Sequence, residues 1–278
     1  MSRIASSFTD PAVPPPNSEP VVNLADVKAL PPTRPKNSGT SGATGKAADL
    51  GRPSYRTDLQ WAGGNGPTSS TSAVSVQQNV KVPLDQNTTA TGAVRVLGYG
   101  GRNGVQGVQY RGAVGVNRTL TSAPGSKYTV DATAGVELRQ QQRPTLSDNL
   151  SFDVALAGRG EWKTSPGTTV FAELSAKQVF AGTNQGRGRA MLGAVYKPPG
   201  SDTAVTAWVA GEGRLNQNGP SAGRGSFFRT VGVDAAFGIG KGTQVIVGVS
   251  HTAGGPGSAT TPSENDGLAG KVQFRLEL

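Results

Sequence analysis

The sequence has 278 residues, a formal net charge of +9 at pH 7, 40 glycines, 19 prolines and no cysteine. Without cysteine there are no disulfide bonds, thiolate metal sites or cysteine nucleophile, and the single histidine excludes a multi-histidine metal cage. The chain also lacks the Leu-, Glu- and Lys-rich segments of period 3.6 that long helices need, so the composition indicates an all-β protein.

The first eleven residues contain no apolar h-region of about 7–15 residues, so we expect no Sec signal peptide at this start. Nor does any stretch of about 18 apolar residues occur, and no transmembrane helix is predicted from the sequence.

Residues 1–72 are rich in Pro, Ser, Gly, Asn and Thr, a composition that buries too little apolar surface to offset the entropy of ordering. We therefore predict a disordered N-terminal tail over 1–72. Within it, Leu24, Val27 and Leu30 share one helical face and predict a short element that docks on a protein partner. A locally apolar piece of linker is the alternative.

Residues 73–278 form a succession of alternating apolar and polar segments separated by Gly, Pro, Asn and Ser clusters, which predicts strands. The expected strands lie near 90–99, 105–118, 127–139, 149–163, 168–180, 187–197, 203–215, 226–238, 242–252 and 268–278, with a doubtful one at 73–83. The fold class predicted is an all-β, antiparallel up-and-down β-barrel of about ten strands, within a range of 10–12.

Two of the expected turns each predict which residues of the neighbouring strands lie opposite each other. A turn at Ser165-Pro166-Gly167 places Trp162 opposite Val170, Leu156 opposite Ala176 and Arg159 opposite Glu173, which matches apolar with apolar residues and pairs opposite charges. A turn at 239–241 places Phe237, Ala235, Val233 and Val231 opposite Thr243, Val245, Val247 and Val249.

The expected connections alternate in length along the chain. Those at 164–167, 198–202 and 239–241 are short, whereas those at 140–148, 216–225 and 253–267 are long. Membrane barrels of the bacterial outer membrane have short periplasmic turns, longer external loops and strands of about ten residues. The alternation therefore favours such a barrel.

The last strand alternates strictly between apolar and polar side chains. Val272, Phe274, Leu276 and Leu278 form its apolar stripe and resemble the alternating signal with which bacterial outer-membrane barrels end. This resemblance implies an outer-membrane location and contact with lipid. The pattern of the strand and its place after the long 253–267 connection also predict that it is a closing strand, which pairs with the first strand near residue 90.

If the apolar side chains contact lipid, the opposite faces of the strands line the interior. The residues predicted to line this lumen are Asp131, Glu137, Arg139, Asp153, Arg159, Glu161, Glu173, Lys177, Lys271, Arg275 and Glu277. A barrel of about ten strands encloses little space, so we expect a non-enzymatic anchor, assembly component or narrow pore rather than a wide channel.

Catalytic and binding motifs are sparse. His251 ends a strand without a recognisable triad, so no catalytic, cofactor or metal site is predicted, and no cofactor. The Gly-Arg repeat at 186–189 lacks the interleaved aromatic residues of nucleic-acid-binding segments, and basic residues occur singly, so a nucleic-acid partner is not expected.

A second hypothesis uses the same strands with the apolar face turned inward. It describes a soluble structural or interaction protein, either a virion component or an extracellular factor delivered without a Sec signal. The period-two pattern is the same in both cases, because it does not say which face meets the surroundings.

Overall fold

The computed structural model describes residues 51–65, 70–101, 106–141, 149–180, 185–216, 225–256 and 267–278. These ranges contain twelve β-strands. The strands are β1 (Ser54–Asn65), β2 (Ser70–Pro83), β3 (Thr88–Gly101), β4 (Gln106–Ala123), β5 (Ser126–Gln141), β6 (Asn149–Ser165), β7 (Thr168–Phe180), β8 (Gln185–Tyr196), β9 (Thr203–Asn216), β10 (Gly225–Gly240), β11 (Thr243–Pro256) and β12 (Gly267–Glu277). Within the described ranges, no helix is long and apolar enough to span a membrane.

The twelve strands form one closed barrel in which every strand pairs antiparallel with its neighbours in sequence. The last strand closes the barrel by pairing with β1, with Leu59 opposite Phe274 and Trp61 opposite Val272. Backbone hydrogen bonds in both directions between Tyr55 and Leu278 extend this seam to the end of the chain. The prediction that the last strand pairs near residue 90 is therefore wrong, although its role as the closing strand is confirmed.

The number of strands is twelve, not about ten. The doubtful segment at 73–83 is β2, and β1 lies wholly within the range that composition assigned to the tail. A composition average over 1–72 hides β1 because its twelve residues include few large apolar side chains. The predicted docking residues Leu24, Val27 and Leu30 lie outside the described residues.

The two ends of the barrel differ in their connections. At one end, here called the short-turn end, adjacent strands are joined at 84–87, 124–125, 166–167, 197–202 and 241–242. At the other, the loop end, the connections span 66–69, 102–105, 142–148, 181–184, 217–224 and 257–266. Gly125 and Gly242 have φ values of 81° and 72°, a conformation that L-residues with a side chain rarely adopt, and they permit the two-residue turns.

One of the two predicted registers is confirmed. Between β6 and β7, Trp162 lies opposite Val170 and Arg159 opposite Glu173, as the Pro-Gly turn predicted. Between β10 and β11 the prediction was wrong by two residues, because Phe237 lies opposite Val245 rather than Thr243. The turn falls at 241–242, and the register shifts at 238–240, where β10 has an irregularity that alternation alone does not reveal.

The outer surface of the barrel is apolar. Side chains such as Val114, Leu174 and Leu192, which point away from the interior, are more than half exposed. On β6, the outward-facing Phe152 and Trp162 lie about 25 Å apart along the barrel axis, for a rise of about 3.3 Å per residue and a strand tilt of about 40°. This separation matches the height of about 25 Å of the apolar band of a transmembrane barrel.

Candidate functional site

The inner wall of the barrel carries polar and charged side chains in the protected positions. Asp58, Gln109 and Arg275 are 5%, 2% and 1% exposed, whereas the apolar residues that alternate with them are exposed. A soluble barrel needs the reverse arrangement, with its apolar face inside. The second hypothesis, in which the same strands enclose an apolar core, therefore does not describe this chain.

The predicted lumen-lining residues occupy the inward-facing positions of their strands. Those on the inner face are Asp131, Glu137, Arg139, Asp153, Arg159, Glu161, Glu173, Lys177, Lys271 and Arg275. Glu277 has the same facing, because it lies opposite Arg56, but it is exposed at the end of β12.

Two cations share one buried carboxylate on the wall formed by β4 to β7. Arg111 Nη2 donates to Asp153 Oδ1 at 2.6 Å, and Lys177 Nζ lies 3.1 Å from Asp153 Oδ2. The Arg111 contact spans an intervening strand, which is possible because Gly135 lies between the two side chains. A Cβ there would lie 3.0 Å from Arg111 Nη2 and 3.2 Å from Asp153 Oδ2.

Towards the short-turn end, Arg159 is surrounded by carboxylates. Its Nε donates to Glu161 Oε1 at 2.7 Å, and its Nη1 donates to Glu173 Oε2 at 3.4 Å. Its guanidinium carbon also lies 4.3 Å from the ring centroid of Phe171, whose side chain is fully buried. The predicted Arg159–Glu173 pair thus forms part of a compensated cluster.

A second ion-pair cluster lies at the seam between β1 and β12, where Asp58 pairs with two arginines. Asp58 accepts hydrogen bonds from Arg56 Nε, Arg275 Nε and Gln273 Nε2, each at 2.9 Å, and from Asn79 Nδ2 at 3.4 Å. The Arg275 side chain has no exposed surface. We call these five residues the seam cluster.

On the next strands, an ion pair crosses β11 over a glycine. Lys271 Nζ lies 3.0 Å from Asp234 Oδ1, and Trp208 Nε1 donates to Asp234 Oδ2 at 3.1 Å. Gly248 lies between Asp234 and Lys271 in the register. The close approach requires a residue without a side chain, because a Cβ at Gly248 would lie only 2.0 Å from Asp234 Oδ1.

The inward-facing positions of β7 to β11 also carry buried apolar side chains. These are Phe171, Met191, Val195, Ala204, Trp208, Ala210, Ala236 and Ile246. They fill space on one side of the interior that the wall encloses.

Several inner cations were not predicted from the sequence. Arg95, Arg111, Arg187 and Arg189 all lie in inward-facing positions. The outward-facing valines that flank Arg95 on β3 were a signal from which its inward position could have been predicted. Arg187 and Arg189 had no such signal, because the outward positions beside them are Gly186, Gly188 and Ala190, which form no stripe of large apolar side chains.

Among the residues that the structure describes, no histidine and carboxylate side chains come together in a catalytic arrangement. His251 is exposed, on the outer face of β11 opposite Val231, and so lies on the other side of the wall from the inner carboxylates. Among the described residues there is no group of three or more His, Asp or Glu side chains able to hold a metal ion.

The number of strands sets the width of the interior. Twelve strands spaced about 4.8 Å apart and tilted by about 40° give a wall of about 12 Å radius. Eight strands give an interior that side chains just fill, and sixteen to eighteen leave an aqueous channel. A twelve-stranded barrel lies between these cases, so its bore depends on the side chains that project inward.

Comparison with solved structures identifies the same fold. An outer membrane channel from Pseudomonas putida F1 superposes with a TM-score of 0.58 at 11% identity, covering 86% of this chain and 100% of that chain. The translocator domain of the autotransporter NalP from Neisseria meningitidis gives a TM-score of 0.49 at 13% identity, covering 82% and 90%. No protein-family model and no curated protein matches the sequence. The chain has the fold of the outer-membrane β-barrels, as its terminal strand predicted.

Proposed function

We propose that this protein is a non-enzymatic barrel that spans the bacterial outer membrane and forms a narrow pore. The observation that carries the proposal is the two-faced wall, which is apolar outside over about 25 Å and charged inside. An apolar outer band of this height suits contact with the acyl chains of membrane lipid. The inner charges favour a water-filled path over a dry core.

A pore is favoured over a purely structural anchor by the chemistry of the inner wall. A sealed interior is most stable when packed with apolar side chains, whereas charged side chains in a dry interior carry a large desolvation penalty. Here arginine, lysine and carboxylate side chains extend around most of the wall. Water beside the partly exposed ones, such as Arg139 and Lys177, would reduce that penalty, and a continuous water-filled path would conduct ions.

The experiment is reconstitution of the purified, refolded full-length chain in a planar lipid bilayer. We expect detergent to be required for extraction, and discrete, uniform conductance steps to appear after insertion. A chain that is folded, as judged by heat-modifiable migration on a gel, but that produces no steps would refute the pore. A monodisperse, detergent-free monomer would refute the membrane location as well.

We also propose that the N-terminal segment engages a protein partner. Residue Ser54, where the barrel begins, lies at the short-turn end, which faces the periplasm in outer-membrane barrels. A partner of residues 1–50 would therefore be periplasmic or attached to the inner side of the membrane. Replacing Leu24, Val27 and Leu30 together by serine should abolish the association while leaving the conductance unchanged.

A further inference from the structure

Three cations lie side by side on neighbouring strands near the loop end of the inner wall. Lys177 on β7 is directly opposite Arg187 on β8, and Arg187 is directly opposite Arg214 on β9. We call these three residues the basic ladder. Like charges directly opposite each other destabilise a sheet, so the ladder lowers the stability of the barrel that contains it.

Carboxylates near the ladder compensate it only in part. Lys177 shares Asp153 with Arg111, so one carboxylate serves two cations. Arg214 Nε donates to Glu212. Arg187 Nε, in contrast, donates to the neutral Gln185 Oε1 at 2.6 Å.

Aromatic side chains hold two guanidinium groups of this region in place. The guanidinium carbon of Arg214 lies 4.4 Å from the ring centroid of Phe228, and that of Arg189, next to the ladder on β8, lies 5.8 Å from Trp208. Both rings belong to largely buried side chains. Stacking on an aromatic face restricts a guanidinium group before any ligand arrives, which lowers the entropic cost of binding.

We propose that the basic ladder is an anion-binding constriction that makes the pore selective for solutes carrying clustered carboxylate or phosphate oxygens. Guanidinium groups bind both kinds of oxyanion through paired N–H donors, and Lys177 adds a point charge. Three cations on adjacent strands, about 5 Å apart, suit a solute with several anionic groups better than a single small ion. This inference rests on the proposed pore and assigns its substrate class.

The first test is the ion selectivity of the reconstituted full-length protein in a KCl gradient. We expect chloride to permeate better than potassium. A unit charge about 8 Å from the path changes the local concentration of an ion in water roughly twofold. A single charge acts with opposite sign on chloride and on potassium, so Arg187→Gln, which leaves no carboxylate unpaired, should lower the chloride-to-potassium permeability ratio about fourfold. The triple change of Lys177, Arg187 and Arg214 to Gln should lower it about sixtyfold.

Lys81→Gln is the matched control for Lys177→Gln. Lys81 lies on the inner face of β2, near the short-turn end, and its replacement removes the same charge from the same kind of side chain. The ladder predicts that Lys177→Gln lowers the permeability ratio and that Lys81→Gln leaves it unchanged. Equal effects would show that overall charge, and not the ladder, sets the selectivity.

The second test is block of the chloride current by citrate, a polycarboxylate, and by pyrophosphate. Block by either anion that Arg187→Gln weakens at least tenfold supports the ladder and identifies the preferred oxyanion. If neither anion blocks, or if Arg187→Gln leaves the block intact, the ladder is not the binding site.

Different experimental results would refute the pore proposal and the ladder proposal. A folded barrel without conductance steps removes the pore, and the ladder's role with it. The ladder proposal is refuted, and the pore proposal is not, if clear conductance steps show a preference for potassium over chloride. The same holds if the triple variant retains the wild-type chloride-to-potassium permeability ratio. Each variant is first checked for heat-modifiable migration, so a misfolded sample is not scored as a selectivity change.

Discussion

Replacing Asp58 by alanine should destabilise the barrel more than any other change of a single carboxylate at the seam. Asp58 is 5% exposed and accepts hydrogen bonds from three donors at 2.9 Å. Its removal leaves the Arg275 side chain, which has no exposed surface, without its carboxylate. Removing one partner of a buried ion pair costs about 3–5 kcal/mol, because the remaining charge stays buried and uncompensated.

The assay is equilibrium unfolding by urea of the folded barrel in detergent micelles, followed through tryptophan fluorescence. With m-values of about 1–3 kcal/mol per molar urea, the expected loss lowers the midpoint by at least about 1 M. Glu277→Gln is the control, because Glu277 lies exposed on β12, the strand that pairs with β1, and surface substitutions change stability by less than about 0.5 kcal/mol.

A double variant separates loss of the ion pair from loss of packing. Combining Asp58→Ala with Arg275→Met removes the buried charge together with its counter-ion, so it should be less destabilising than the sum of the two single changes. If the loss of stability in the double variant equals the sum of the two single losses, the ion pair of the seam cluster does not stabilise the barrel. The same conclusion follows if Asp58→Ala has the same urea midpoint as the Glu277 control.

Two further predictions concern close packing and a turn. Gly248→Ala should cost about 3 kcal/mol, because the new Cβ displaces Asp234 from its ion pair, whereas Gly188→Ala, where nothing lies within 4 Å, should be nearly neutral in the same urea titration. In the 84–87 turn, the hydrogen bond from the backbone N–H of Asn87 lowers the pKa of Asp85 below its ordinary 3.8. The stabilisation from Asp85 is therefore present above that value and lost as the pH falls through the lowered pKa, so Asp85→Ala and wild type should differ in thermal midpoint at pH 7 and converge in strong acid.

The fold was predictable where alternation and turn chemistry agreed. Between β6 and β7, the Pro-Gly turn, the apolar stripe and the Arg159–Glu173 pair specify one register, and that register is observed. Between β10 and β11, the same reasoning failed by two residues, because several registers match apolar with apolar side chains there. The irregularity before Gly240 and the positive φ of Gly242 decide among them, and neither has a signal in the hydrophobic pattern.

The composition of the inner wall was less predictable than the fold. Strands with large apolar residues on one face revealed the charges on the other, as at Asp153 and Arg275. Arg187 and Arg189 alternate with glycine, so the period-two signal vanishes where the ladder lies. The sequence pattern also did not determine which face of each strand points inward, because an alternating strand has the same pattern with either face outward. The closed barrel determines this, since closure makes one face of the sheet the interior.

Stability and selectivity are assigned to different charges of the same wall. In the seam cluster, Asp58 brings Arg56 and Arg275 together around one carboxylate, so removing a charge there leaves another unpaired. In the basic ladder, removing Arg187 relieves repulsion from two neighbours and gives up a bond to the neutral Gln185. Arg187→Gln should therefore retain wild-type stability, or gain some, while the ion selectivity falls. A wall whose charges served only to hold the barrel together would lose stability at both places.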